Sequence, residues 1–494
     1  MKHLRLAAIA LAACSLVACG NDDNDNEPTT PEEPTPPTPT DPVEPAPQKN
    51  VLFFLGDGMG ITTMTAMRIY KVGEEGQITM DTLPESAFIR TYSEDAQVTD
   101  SAPSMAAYMT GVKMKNEVIS MSTGTNAYRP DGTQYINGAD STCEAGNGTP
   151  VQTLLELMKS QGYGTGVVST TRITHATPAT TYSHICNRNG ENNIASQMVP
   201  SASDYNSALT LGDDVGIDVV LGGGRRHFLP QGDGSSRRDT RNLITEMQTA
   251  GYSYAANTAE LTALPNSTAK VLGLFSGSDM SYELDRDPAA QPSLSEMTAK
   301  AIDLLAAKDK GFFLMVEGGR IDHALHASNG KRALTDGIAF DDAIATALAK
   351  MEVIDPGLSN TLVVVTADHD HTMVLNGYAM RTGATTAEQA GVLGLVKQYA
   401  NGPSQGQPVT DVDGNPYSII GFGNGPHRDA TRITLDESIT TADDYLQEST
   451  IRLSSETHGG ADVFLGAKGL GADNFHGVMD NTEVFGHIKT ALGL

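Results

Sequence analysis

Asn50–Gly60 reads NVLFFLGDGMG: an unbroken apolar run, Val51 to Leu55, that stops at Gly56 and delivers Asp57 into a glycine-rich turn. Two later stretches have the same form. Residues 311–326, GFFLMVEGGRIDHALH, end their apolar run at Glu317, and residues 361–371, TLVVVTADHDH, end theirs at Asp368. Short apolar runs rich in β-branched and aromatic residues, bounded by glycine or polar residues, read as strands buried on both faces. In open α/β sheets, ligands bind just beyond the carboxyl ends of such strands. Three carboxylates at one sheet edge, with His326 and His369 beside two of them, read as a site for several metal ions.

Working outward, strand-like and helix-like stretches alternate. Thr149 to Gly162 is amphipathic and predicts a helix, Gly166 to Ser169 a strand, Ile217 to Leu221 another strand, and Leu294 to Lys308 a helix. This alternation predicts an α/β fold with a mostly parallel central sheet and helices on both faces. Residues 383–449 are irregular and richer in Gly and Pro, and read as an insertion before the C-terminal strand region. The catalytic domain is expected over residues 50–494. A hydrophobic fraction of 39% and 50 glycines suit a globular, loop-rich chain of 494 residues. A net charge of −27 argues against nucleic acid as a partner, because that needs a basic stripe. An anionic substrate would have to be drawn by local cations, which bound metals supply.

Residues 1–19 read as a lipoprotein signal peptide. Lys2, His3 and Arg5 precede an apolar run from Leu6 to Ala18 that is too short to span a bilayer. The run ends in Leu16-Val17-Ala18-Cys19-Gly20, which resembles a bacterial lipobox and makes Cys19 the expected lipidated N-terminus. Residues 20–49 hold nine prolines among acidic and Thr residues and read as an extended tether. The expected location is therefore outside the cytoplasm, periplasmic or cell-surface, with a lipid anchor in a bacterial membrane. Outside the signal, Cys143 and Cys186 allow one disulfide in an oxidising compartment, without establishing it.

Five groups of residues could carry chemistry. Asp322 and His326, four apart, share one helix face and offer a good zinc pair, with Glu317 just upstream. Asp368-His369-Asp370-His371 follows a buried strand; Asp368 and His369 are the expected ligands, with Asp370 and His371 supporting them or solvated. His458, in Glu456-Thr-His-Gly-Gly, is a third candidate ligand for the Asp322–His326 ion. Ser101, in Thr99-Asp100-Ser101-Ala-Pro103, stands at a helix start; it reads either as part of a cap or as a nucleophile where backbone N–H groups favour phosphate. His175 and Thr177 could lie beside a hard metal, and Arg188 could clamp a phosphate with its planar fork.

Taken together and in order, Leu55-Gly-Asp57-Gly-Met-Gly, Thr99-Asp100-Ser101-Ala, Val316-Glu317-Gly-Gly-Arg-Ile-Asp322-His, Thr366-Ala-Asp368-His369 and His458-Gly-Gly resemble the alkaline phosphatase family from about Asn50 to the C-terminus. The resemblance implies hydrolysis of phosphate monoesters through a phosphoserine on Ser101, with two zinc ions and one magnesium. It implies Asp322, His326 and His458 at one zinc, Asp57, Asp368 and His369 at the other, and Asp57, Thr177 and Glu317 at magnesium. Arg188 would clamp the phosphate, and His323 would lie beside the substrate. His175 and His323 follow the vertebrate-type branch. Imidazole is a poor magnesium ligand, so His175 is expected either beside that site or on a different metal. Ser276 and Gln291 stand where vertebrate-type members carry acidic calcium ligands, which argues against a fourth ion. The resemblance also implies a homodimer. The other readings are a phosphodiesterase or sulfatase relative on the same sheet, and a non-catalytic lipoprotein that binds metal or phosphate.

Overall fold

Phe53 and Phe54 settle where the helices lie. Successive strand residues point to opposite faces. Phe53 meets Tyr108 of the helix Ser101–Thr110, with ring centroids 5.5 Å apart, and Phe54 meets Phe340 of the helix Gly330–Ile354 at 6.1 Å. The strand is therefore covered on both sides, as its unbroken apolar run requires. All seven of its residues are buried.

The computed structural model describes residues 48–494. Ten strands form one sheet: β1 Asn50–Gly56, β2 Glu85–Arg90, β3 Gly164–Arg172, β4 Val219–Gly223, β5 Ser253–Ala255, β6 Val271–Leu274, β7 Phe312–Gly318, β8 Thr361–Ala367, β9 Val463–Gly469 and β10 Gly477–Asp480. Their spatial order is β10-β2-β9-β8-β1-β7-β3-β4-β6-β5. Every pairing is parallel except those of β9 with β8 and with β2. The architecture is the mostly parallel α/β sheet read from the sequence. Register aligns Leu55 with Glu317, and Gly56 with Gly318 and Ala367, so Asp57, Glu317 and Asp368 leave neighbouring strands at one edge.

Local chemistry sets the helix limits. The amphipathic stretch 149–162 becomes helical only over Leu154–Ser160, because Thr153 caps it: Thr153 Oγ1 accepts from Glu156 N, and the Glu156 carboxylate accepts from Thr153 N. The helix expected over 294–308 runs Leu294–Leu305 behind a Ser293–Glu296 capping box. Within 383–449, Ile420–Gly425 pairs with Met373–Leu375 and with Ser449–Arg452 in a small separate sheet. Ile420 and Phe422 pack that sheet onto the main core. Gln48 and Lys49, assigned to the tether by composition, are tied to this body: Lys49 N donates to Lys310 O (3.1 Å) and Lys49 Nζ to Leu492 O (2.8 Å). The signal, its Cys19 and the tether up to residue 47 lie outside the described residues.

Cys143 and Cys186 form a disulfide spanning 43 positions, with Cα atoms 6.0 Å apart. Closing a loop of that length constrains the unfolded chain by about 4 kcal/mol in the chain-entropy account. The bond also fixes the segment two residues before Arg188.

Phe54→Ala would leave a cavity between β1 and Phe340. It is expected to lower unfolding free energy by about 3–5 kcal/mol in denaturant titrations. A loss under about 1 kcal/mol would mean that this strand is not the centre of the core.

Candidate active site

The helix Ser101–Thr110 is docked onto the end of β8 by two hydrogen bonds. Ser104 Oγ donates to Asp368 O (2.6 Å) and Tyr108 OH to Ala367 O (2.9 Å). That docking sets Ser101 Oγ 3.2 Å from His369 Nε2 and 3.4 Å from Asp57 Oδ1. The two readings of the helix start divide between neighbours. Asp100 is the cap, its Oδ1 accepting from Ala102 N (2.7 Å), and Ser101 is left at the first helical position, facing the acids.

Asp57, Glu317, Asp368 and His369 are fully buried, and Asp322 nearly so. Donor atoms of Asp57, Asp368 and His369 lie within 4.8 Å of one another, as do those of Asp57, His175 and Glu317. Thr177 Oγ1 is 3.3 Å from Asp57 Oδ2. Asp322 Oδ1 lies 3.3 Å from His326 Nε2 and 3.5 Å from His458 Nε2, and the two ring nitrogens are 3.1 Å apart. The structure therefore gathers every candidate ligand named from the sequence into three adjoining groups beside one hydroxyl.

The donor set fits cations. Ser169 and Thr171 hydroxyls donate to Glu317 Oε2, yet its Oε1 accepts no hydrogen bond from the protein, and neither does Asp368 Oδ2. Buried carboxylate oxygens without donors are costly unless a positive charge meets them. Three imidazoles are oriented through Nδ1: His326 on Glu456 O (2.6 Å), His458 on Thr99 O (2.8 Å) and His369 on Asp370 O (3.3 Å). An Nδ1–H held by a carbonyl leaves the Nε2 lone pair free, and each Nε2 faces a carboxylate.

Electrostatics separate the carboxylates. Burial pushes Glu317 and Asp368 up to about 7, assisted by Asp368 at the first and Asp57 at the second. Burial, with repulsion from Asp322 and Glu317, raises Asp57 well above the usual range. Burial acts on Asp322 in the same direction, but His326, His371 and His458 outweigh it and hold that carboxyl well below the usual range.

Two residues acquire more weight than the sequence allotted them. His371 is buried, its Nε2 on Asp322 Oδ1 (2.8 Å) and its Nδ1 on Glu456. Burial opposes its protonation, but the two carboxylates prevail and lift the ring to about 10. His371 thus orients Asp322 rather than being solvated, and Glu456 orients His371. Gly58 makes room for this: its φ is +65°, and a Cβ there would stand 2.4 Å from His371 Nε2. Asp370 lies to one side, with its Oδ1 free of protein partners.

Arg188 approaches from the opposite wall. Its Nη1 donates to Asp100 Oδ1 (3.1 Å) and its Nη2 to His175 Nε2 (3.0 Å). His175 stands edge-on to His323, centroids 5.4 Å apart, and Arg320 Nη1 lies 2.5 Å from His323 Nδ1. Burial, then Arg188 and Arg172, push His175 well below the ordinary histidine range, which keeps it neutral. At the position compared with a calcium ligand, Gln291 Oε1 accepts from Ser281 N (2.8 Å).

The alkaline phosphatase family profile matches residues 48–494. An alkaline phosphatase of Gadus morhua is 34% identical over 465 residues, covering 88% of this chain and 90% of the relative. The tissue-nonspecific isozyme of Rattus norvegicus is 34% identical over 464 residues, covering 88% and 82%. Among solved structures, the alkaline phosphatase of the Antarctic bacterium TAB5 superposes with a TM-score of 0.62 at 24% identity, covering 90% of this chain and 98% of that one. A cold-active enzyme from Shewanella sp. gives 0.61 at 25%, covering 90% and 99%.

Proposed function

The chain belongs to the alkaline phosphatase family, hydrolases of phosphate monoesters, and we propose that it works through a covalent phosphoserine on Ser101. The observation that carries this reading is the hydroxyl of Ser101, nearly buried, 3.2 Å from His369 Nε2 and 3.4 Å from Asp57 Oδ1, at the start of a helix. An alcohol is a weak nucleophile until a base or a cation lowers its proton affinity.

We assign two zinc ions and one magnesium to the three groups. Asp322, His326 and His458 would hold one zinc, Asp57, Asp368 and His369 the second, and Asp57, Glu317 and Thr177 the magnesium, with His175 beside it. Paired zinc ions stabilise the charge on attacking and departing oxygens in phosphoryl transfer. The chain supplies the rest. Helix docking through Ser104 and Tyr108 keeps Ser101 Oγ fixed toward the incoming phosphorus. Arg188 has N–H groups beyond those given to Asp100 and His175, and these would meet the equatorial phosphate oxygens. His323, behind His175, would bound the substrate on that side. Attack by Ser101 expels the alcohol; water then cleaves the phosphoserine and releases inorganic phosphate. Two in-line displacements return the original configuration at phosphorus.

The test is hydrolysis of a chromogenic phosphate monoester at alkaline pH, beside a phosphodiester and a sulfate ester. Monoester turnover should dominate by at least about a hundredfold and vanish with chelator. Preference for the diester or the sulfate would select a different member of the superfamily, and metal binding without turnover would select a binding lipoprotein.

Export, lipidation of Cys19 and a membrane tether complete the proposal, supported by the sequence of residues 1–47. A homodimer is supported by an apolar surface at the sheet edge. Phe88 lies in register with both Val478 and Phe464, and Ile61 adjoins it across a shallow cavity. Light scattering on the protein lacking residues 1–47 would decide the subunit count.

A further inference from the structure

Glu117 occupies an unusual position. Its φ is +73°, in the left-handed region that glycine adopts freely and other residues rarely do. Its backbone serves both members of the Arg188–Asp100 pair: Glu117 N donates to Asp100 Oδ2, and Glu117 O accepts from Arg188 N (2.8 Å). Its side chain lines the same cavity of about 240 Å³ as Arg188, His175, Arg172 and Glu191. Asn189 Nδ2, 3.3 Å from Glu117 Oε2, holds the carboxylate there.

Among the described residues lining this cavity, Arg188 is the cation placed to serve a phosphate. Arg172 is neutralised by Glu191 (2.8 Å) and Asp279 (2.7 Å). Arg188 already faces Asp100, and Glu117 adds a second carboxylate to its field. An anion held by Arg188 in this cavity therefore lies within the field of the Glu117 carboxylate.

We propose that Glu117 determines how tightly the site retains phosphate: its carboxylate opposes the anion bound to Arg188 and so speeds the departure of inorganic phosphate. This rests on the reading of Arg188 as the phosphate clamp. A glycine would suit the backbone here without strain, and glutamate contributes a negative charge in its place.

Inorganic phosphate binding to the zinc- and magnesium-loaded enzyme tests this, by calorimetric titration and by competitive inhibition. Glu117→Gln removes the charge and keeps the shape. Glu117→Gly removes the charge and also relieves the backbone. Both are expected to tighten phosphate binding by about three- to tenfold, and Glu117→Asp to stay nearer the parent. Arg188→Ala should weaken it more than about tenfold. If Arg188→Ala binds phosphate like the parent, the clamp reading fails and this inference with it. If Arg188→Ala weakens binding but the Gln variant matches the parent, the inference alone is overturned. An effect confined to the Gly variant would trace to backbone conformation and would overturn it as well.

Discussion

Ser101→Ala is expected to lower monoester turnover by roughly a thousandfold or more, while metal content and unfolding temperature stay near the parent values. The structure separates the chemical part of this residue from its structural part. Helix capping belongs to Asp100, through Ala102 N, and docking of the helix belongs to Ser104 and Tyr108. Ser101 contributes only a hydroxyl directed at Asp57 and His369. Removing that oxygen leaves the neighbouring carboxylates and imidazole in place. Acid quenching during turnover should trap a phosphorylated parent enzyme, with the label on the peptide containing Ser101, and no label on the variant. Turnover within about tenfold of the parent would remove the covalent route and point to direct attack by water.

Chelation is expected to abolish turnover and to make stability fall with rising pH. In the unfolded chain Glu317 and Asp368 titrate near ordinary carboxylate values of about 4. In the folded, metal-free chain burial holds both near 7, and Asp57 is raised as well. Between those values these carboxyls bind more protons in the folded state than in the unfolded one, so their contribution to stability falls as pH rises through about 4 to 7. His371, lifted to about 10, extends the fall above that window, and His175, His326, His369 and His458, pushed below their ordinary range by burial, act in the opposite sense. Asp322, whose carboxyl is depressed, acts oppositely and loses its contribution only in acid. Cations at the three groups would remove the repulsion. The chelated protein should thus melt lower at pH 8 than at pH 5, and the loaded protein should show much less of this drop. Asp368→Asn deletes one of the raised groups and should shrink the drop in the chelated protein. Equal melting of the chelated parent at both pH values would contradict the crowding of these carboxylates.

Much of the site is written along the chain because strands with both faces buried need continuous apolar runs. Those runs mark their own ends, and Asp57, Glu317 and Asp368 stand at them. The Asp322–His326 spacing fits one helix face equally plainly. What the chain order conceals depends on contacts between distant segments. His371 is important because Asp370–His371 pairs with His458–Gly459 in a two-residue ladder, and no local pattern announces that pairing. Glu456 acts through His371 and is hidden for the same reason. The start of the helix at Leu154 turns on the reciprocal Thr153–Glu156 bonds, which begin the helix later than the amphipathic pattern alone suggests. Glu117 carries no signal at all, since its positive φ becomes visible only with the backbone in place.

The position of β1 has a consequence for biosynthesis. It is the first made of the ten described strands, yet both of its partners come from far along the chain, β7 from Phe312 and β8 from Thr361. A nascent chain thus carries the greasy segment Val51–Leu55 with both edges open for several hundred residues of elongation. Such non-local pairing is slow to form and prone to intermolecular mispairing. Asp57 can meet Glu317 and Asp368 only after that pairing is complete, so the group of carboxylates cannot form before Thr361–Ala367 has been made and paired.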